Sequence, residues 1–274
     1  MHSAPPQPTV QLAPDQIAFY HREGYLTLPP LTTPVELAWI REQYDLMFQQ
    51  QAGRDHGNHF DLAGTDEDGK PPSLPQILNP ERYVPAFANT LLRANAVSVG
   101  RQLLGLQAEG GSAHCIFKPA RVGAETPWHQ DEAYWNPALD YQSMSIWVPL
   151  QPATLDNGCM WFVPRSHHLE VLPHHHLNHD PRIHGLMLDD HQKYTANAVA
   201  CPLPPGGATV HPGRTLHYTG PNRSDIPRRA YIFSAALPAA KRTDGRRFPW
   251  LEEEKSTHAR KRDQDAQAAA QRVT

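Results

Sequence analysis

Apolar positions in the first hundred residues recur at helical spacing. Leu37, Ile40, Tyr44 and Met47 lie three or four apart, which puts them on one face of a helix. Thr33-Pro34-Val35-Glu36 ahead of them reads as a capping box with Pro at the first helical position, so a helix is expected from there to about Gln50. A shorter one is expected from Asp15, as its cap, to about Glu23, closed by Gly24, with Tyr25-Leu26-Thr27-Leu28 as a short strand after it. Phe87, Leu91, Leu92, Ala96, Val97 and Leu103 predict a third helix from Tyr83 to Leu104, closed by Gly105. The polar stretch 51–80 between them reads as a loop.

The period then changes. Residues 112–120, 143–151, 159–163, 207–211 and 229–237 are short β-rich runs. Turn signals Asp156-Asn157-Gly158, Pro205-Gly206-Gly207 and Pro221-Asn222 separate them. Met144, Ile146, Val148 and Leu150 alternate with Ser145, Trp147 and Pro149. A half-buried strand requires that alternation, and it puts Ser145 and Trp147 on the face opposite the aliphatic set. Helices first and strands later predict a mainly β core with an N-terminal helical wrap. The expected organisation is a flexible N-terminus over 1–14 and a single domain over 15–250. Within that domain the helical wrap covers about 15–110 and the β core about 111–240. The irregular, His-rich stretch 165–200 is long enough to act as a lid, and 251–274 forms a charged tail whose run Glu252-Glu253-Glu254-Lys255 reads as a solvated helix start.

Composition narrows the class. The 274 residues carry a formal net charge of −3, with 39% hydrophobic and 19% charged residues, so no global basic field draws nucleic acid or an anionic membrane. The 28 prolines argue for short elements joined by stiff loops. Cys115, Cys159 and Cys201 are scattered, odd in number and form no C-x-x-C pair, which suggests reduced thiols and a cytoplasmic setting. Neither a signal peptide nor a transmembrane stretch is expected, and the pattern specifies no oligomeric state.

The chemistry concentrates in two runs. In Thr126-Pro127-Trp128-His129-Gln130-Asp131, the imidazole and the carboxylate are two apart; on an extended segment they point the same way and can take adjacent corners of one metal ion. Alone, that pair reads more simply as a surface His hydrogen-bonded to an Asp. The second run, from Ala208 through His217 to Arg228, supplies a distant His and an Arg eleven positions after it. Two His and one carboxylate on one face of iron leave three positions open: two for a chelating 2-oxo acid and one for O₂. The far carboxylate of the oxo acid needs a fixed cation, and a guanidinium fork suits it. Arg229 competes with Arg228, but adjacent strand residues face opposite ways. His211 reads as a structural His near a strand end, and the tract His174-His175-His176 with His179 as a solvated loop.

With H-x-D, then His217-Tyr218-Thr219-Gly220-Pro221-Asn222-Arg223-Ser224, then Arg228, the chain resembles the phytanoyl-CoA dioxygenase family of Fe(II)/2-oxoglutarate-dependent oxygenases. Gln16 to Tyr25, Ser143 to Leu150 and Asp156 to Met160 extend the resemblance over about 15–240. It implies a double-stranded β-helix, a jelly-roll or cupin-like core with flanking helices, and a hydroxylase that acts on a small molecule and releases succinate and CO₂. It implies His129, Asp131 and His217 as Fe(II) ligands and Arg228 as the 2-oxoglutarate anchor. Thr219, Trp147, Lys118 and Thr126 are implied as further cosubstrate contacts. Tyr134 and Trp135, just beyond Asp131, are candidates for a substrate wall. Related halogenases replace the ligand carboxylate, so Asp131 favours hydroxylation. Pro164-Arg165-Ser166-His167 departs from the family's P-G-S-H and puts that turn in question. Two alternatives compete: a cupin-like metal-dependent isomerase or lyase, which has no need of Arg228, and a non-catalytic 2-oxoglutarate-binding protein.

Overall fold

The computed structural model describes residues 6–67, 69–252 and 256–271. Its helices are α1 (Pro14–Glu23), α2 (Pro34–Gln49), α3 (Leu91–Leu104) and α4 (Thr257–Gln271). The first eight strands are β1 (Leu26–Leu28), β2 (His59–Asp61), β3 (Pro75–Leu78), β4 (Glu109–Lys118), β5 (Thr126–His129), β6 (Leu139–Asp140), β7 (Ser143–Pro149) and β8 (Met160–Phe162). The others are β9 (His174–His176), β10 (Leu186–Leu188), β11 (Val199–Cys201), β12 (Ala208–Pro212), β13 (His217–Thr219), β14 (Arg228–Ala236) and β15 (Ala240–Lys241).

A seven-stranded sheet runs β1-β12-β7-β14-β4-β3-β2, and a four-stranded sheet runs β11-β8-β13-β5. From β4 onward the chain passes back and forth between the two: β4, β7, β12 and β14 join the large sheet, while β5, β8, β11 and β13 join the small one. Antiparallel strands dealt to two facing sheets in this way make a double-stranded β-helix.

Strand alternation divides the large sheet into two faces. Tyr231, Phe233 and Ala235 of β14, Ile146 and Val148 of β7 and Val210 of β12 pack on Ile40, Tyr44 and Met47 of α2 and on Leu92, Ala96 and Val99 of α3. Each such fully buried side chain contributes about 1.5–3 kcal/mol. The α3–β14 approach is close because Gly100 has no side chain: a Cβ there would sit 2.4 Å from the Ala235 Cβ. The opposite face carries Arg228, Ala230 and Ile232 of β14 and Ser145 and Trp147 of β7, turned toward the small sheet. The helices therefore seal one side of the large sheet and leave the other to a cavity.

The local expectations hold unevenly. Thr33 caps α2, its hydroxyl accepting from the Glu36 N–H. The Glu36 carboxylate does not close the box; it accepts from the Leu91 and Leu92 N–H groups and so caps α3 instead. α1 begins at Pro14 with Ala13 as its cap, and Asp15 falls in the first turn. The 83–104 run is broken: Pro85–Asn89 forms a 3₁₀ helix, and Thr90 starts α3 by accepting from Arg93 N–H. Within 51–80 the structure places β2 and β3 on the edge of the large sheet. These strands are three and four residues long and mostly buried on both faces, so no alternation marks them. Residues 6–13, expected to be free, lie along α3: Asn95 accepts from the Thr9 and Val10 N–H groups and Leu12 is buried. The stretch 165–200 contains the β9–β10 hairpin, with Leu186 and Leu188 buried. Of the run 252–255, residues 253–255 lie outside the described residues; beyond them, His258 of α4 stacks on Phe60 at 3.6 Å between ring centroids.

Candidate active site

The β5–β13 register sets His129 directly opposite His217, so two imidazoles 88 positions apart in the chain become a cross-strand pair with ring centroids 4.1 Å apart. Gln130 is extended (φ −116°, ψ 131°) and a 3₁₀ turn starts at Asp131, which keeps the Asp131 carboxylate on the same side as His129. Asp131 Oδ1 lies 3.5 Å from His129 Nε2 and 3.4 Å from His217 Nε2. One ligand atom from each of the three falls within 4.8 Å of the others.

The tautomers follow from the backbone. His129 Nδ1 donates to Pro127 O at 2.7 Å and His217 Nδ1 to Thr215 O at 2.9 Å. A carbonyl only accepts, so both Nε2 atoms carry lone pairs into the site, the form a metal ligand requires. Burial, and then the neighbouring His217, lowers the His129 pKa. Burial alone would raise the Asp131 carboxyl, but His217, His129 and His211 outweigh it and hold it well below the usual range. The other oxygen, Oδ2, accepts from Ser145 Oγ at 2.6 Å and lies 3.4 Å from His211 Nε2. That arrangement leaves Oδ1 for an ion.

The trio opens into a cavity of about 600 Å³ between the sheets. Arg228, Thr219, Thr126 and Trp147 line it near the trio, and Tyr134 and Trp135 line it beyond. Arg228 is 1% exposed, and its Nε and Nη1 atoms have no hydrogen-bond partner. Its guanidinium stands 5.4 Å over the Trp147 ring, and burial brings its pKa down to about 10. Arg229 points the other way and pairs with Asp45 at 2.5 Å, as strand alternation requires. Lys118 does not line the cavity. It stands opposite Arg228 across the β14–β4 ladder, fully buried. Its ammonium donates to Thr219 O, Thr219 Oγ1 and Gly220 O at 3.2, 2.8 and 2.6 Å, and burial holds its pKa well below normal. Thr219 Oγ1 and Thr126 Oγ1 are 3.0 Å apart. Because two hydroxyls share one hydrogen bond and the ammonium only donates, one threonine proton is left to the cavity.

This end of the cavity therefore presents surplus donors and buried positive charge beside three ligand atoms, and an anion that also reaches the ion would satisfy both. His211 lies near the end of β12, as expected; what the sequence did not mark is Ser145 as a partner of Asp131, or that His211, opposite Ser145 in register, turns its imidazole onto the cavity. His114 and His184 also line it. His114 sits on a strand and His184 on the His-rich stretch, and no spacing signal marks either.

A double-stranded β-helix with two His and one Asp facing its cavity defines a cupin-like fold with a candidate metal site. The phytanoyl-CoA dioxygenase (PhyH) family model matches residues 20–230, and the chain belongs to that family. It is 28% identical over 169 residues to the "Probable alpha-ketoglutarate-dependent hypophosphite dioxygenase" of Stutzerimonas stutzeri, covering 61% of this chain and 58% of that protein. It is 30% identical over 122 residues to "Phytanoyl-CoA dioxygenase domain-containing protein 1" of Danio rerio, covering 43% and 41%. The match thus spans about half the length of these curated relatives. EvdO2 from Micromonospora carbonacea var. aurantiaca superposes with a TM-score of 0.77 at 40% identity, covering 89% of this chain and 98% of that one. Its structure complexed with 2-oxoglutarate gives 0.76 at 38% identity. No helix among the described residues is long and apolar enough to cross a membrane.

Proposed function

We propose that the protein is an Fe(II)/2-oxoglutarate-dependent dioxygenase that hydroxylates an uncharged small molecule. The observation that carries this reading is the buried Arg228, cross-strand from buried Lys118, beside the His129–Asp131–His217 trio. Like charges directly opposite one another repel, and a buried cation without a partner is costly. Two carboxylates on one ligand, one reaching the ion and one reaching Arg228, remove both penalties. An isomerase or lyase site has no use for that cation.

When bound, iron and 2-oxoglutarate supply oxidative decarboxylation to succinate and CO₂ and, with O₂, the oxidant for a C–H bond. His129 and His217 present Nε2 atoms and Asp131 presents Oδ1, held by Ser145 on its other oxygen. Arg228 receives the far carboxylate, with the free threonine proton of the Thr126–Thr219 pair beside it and the Trp147 ring flanking the guanidinium. Lys118 acts through Thr219, which it orients.

Tyr134 and Trp135 form the substrate wall. Trp135 is held there by Gly213, where a Cβ would come within 2.7 Å of its ring. Apart from Asp131 and Arg228, the lining carries only hydroxyl, amide, indole, phenol and imidazole groups among its polar members, and burial lowers His114 to about 4 and His184 to about 3. That lining suits an uncharged substrate and disfavours a CoA ester or a phosphate. The buried, unpaired thiols of Cys115, Cys159 and Cys201 support a reducing, cytoplasmic setting.

Succinate release that requires both iron and 2-oxoglutarate tests the reading. Asp131→Ala is expected to abolish it while the fold is kept. Arg228→Ala is expected to raise the 2-oxoglutarate requirement roughly 100-fold or more, because breaking a buried charge pair costs about 3–5 kcal/mol. Normal turnover in either variant counts against the assignment.

A further inference from the structure

The turn that carries Asp131, Tyr134 and Trp135 is held from outside the stretch matched by the family model, which ends at residue 230. The side chain of Glu132, next to Asp131, is 2% exposed. Arg214 binds its carboxylate at 2.9 and 3.2 Å, and Arg246 Nη1 at 2.7 Å. Arg246 also donates to Pro137 O at 3.1 Å and to Leu139 O at 2.7 Å, and it lies 4.9 Å over the Phe248 ring. Trp250 Nε1 donates to Ala133 O at 2.8 Å, and the Trp250 ring stacks on Phe248 at 5.0 Å. Ala133, Leu186, Phe248 and Trp250 form one small buried cluster.

Two side chains of one segment thus fix four points of residues 132–139: a carboxylate and three carbonyls. Among the described residues, the 3₁₀ turn Pro249–Leu251 is the regular structure around those two side chains, and no ladder joins that turn to a sheet. These contacts, with the His176–Trp250 O bond at 2.9 Å, tie the segment to the Asp131 turn, which Arg214 and the Glu132 N–H to Gly213 O bond hold from its other side.

We propose that Arg246 and Trp250 are positioning residues that hold the Asp131 turn in the geometry that binds the metal, and with it the Tyr134–Trp135 wall. The proposal rests on the reading of His129, Asp131 and His217 as metal ligands. Neither residue touches the ion or the substrate: Arg246 acts through Glu132, and Trp250 acts through the Ala133 carbonyl. Outer partners of a ligand set are worth about 10- to 100-fold in metal affinity.

The test is anaerobic Co(II) titration of the full chain, read from the visible absorption bands that report the ligand set. The variants are Arg246→Gln and Trp250→Phe; the second keeps an aromatic ring against Phe248 and removes the indole N–H together with part of the ring volume. Thermal melting is run in parallel without metal. The expected result is Co(II) binding weakened about 10-fold or more with altered bands in both variants, while each variant still melts cooperatively as a folded chain, Trp250→Phe at a lower temperature because ring volume is lost. Unchanged affinity and bands, whatever the melting temperature, overturn the proposal and leave these residues a purely structural role. Asp131→Ala separates the underlying reading from this one: if it binds Co(II) like wild type, the ligand assignment itself fails.

Discussion

At the residue scale, the H-x-D pair was legible because Gln130 is extended, so two-residue spacing translated directly into a shared side. Strand parity allows only one of Arg228 and Arg229 to turn inward, and the eleven-residue spacing from His217 singled out Arg228, which the structure turns toward the cavity. Ser145 and His211 escaped because their common neighbour, Asp131, lies 14 and 80 positions away (145 − 131; 211 − 131), and only sheet register brings the three together. Ser145→Ala should weaken metal binding about 10-fold by freeing Asp131 Oδ2; an unchanged dissociation constant would show that the carboxylate needs no such support. Arg165 is a second instance. It sits at φ +66°, the left-handed region that a glycine enters without strain and other residues enter at about 1–2 kcal/mol. The turn in question therefore forms with Arg in place, and Arg165 is tied to Glu23 by two contacts of 3.2 Å. Because that pair is exposed at its Arg end and worth little, Arg165→Gly should leave stability unchanged or raise it by up to about 1 kcal/mol in urea melts. A clear loss would show that the ion pair dominates.

At the element scale, long periodic segments could be read and short ones could not. The β7 alternation gave the correct inward pair, Ser145 and Trp147. The α2 cap was visible in Thr33, but the diversion of Glu36 to α3 was not, because the two helices meet only in the folded chain. β2 and β3 carry no period-two signal, yet β3 adds Gln76 and Leu78 to the cavity wall. The α3–β14 contact is the sharpest packing prediction. Gly100→Ala places a methyl where Ala235 already stands, and overpacking of this kind costs about 1–3 kcal/mol. Urea denaturation reads it directly, and a variant as stable as wild type would mean that the helix shifts freely.

For the whole molecule, the buried imidazoles couple stability to pH. Burial lowers His59, His114 and His174 to about 4 and His184 to about 3, against about 6.5 in an unfolded chain. Between those values the unfolded chain binds protons that the folded chain refuses. Their contribution is complete above about pH 6.5 and is lost as pH falls toward 4 and then 3. Metal-free stability should decline steadily below pH 6.5, and His114→Gln should flatten the decline; equal stability at pH 7 and pH 5 would contradict it.

In the proposed site, three ligand atoms and one guanidinium, gathered from four strands and turns, act on one ion and one cosubstrate. Anaerobic titration of Fe(II) and 2-oxoglutarate into the full chain, followed by the visible charge-transfer absorption of the chelate, measures that most directly. One iron and one 2-oxoglutarate per chain are expected, with no band in Asp131→Ala and a band in Arg228→Ala that appears only at much higher 2-oxoglutarate. A wild-type chain that develops no band, or an Asp131→Ala chain that develops a full one, would contradict that expectation.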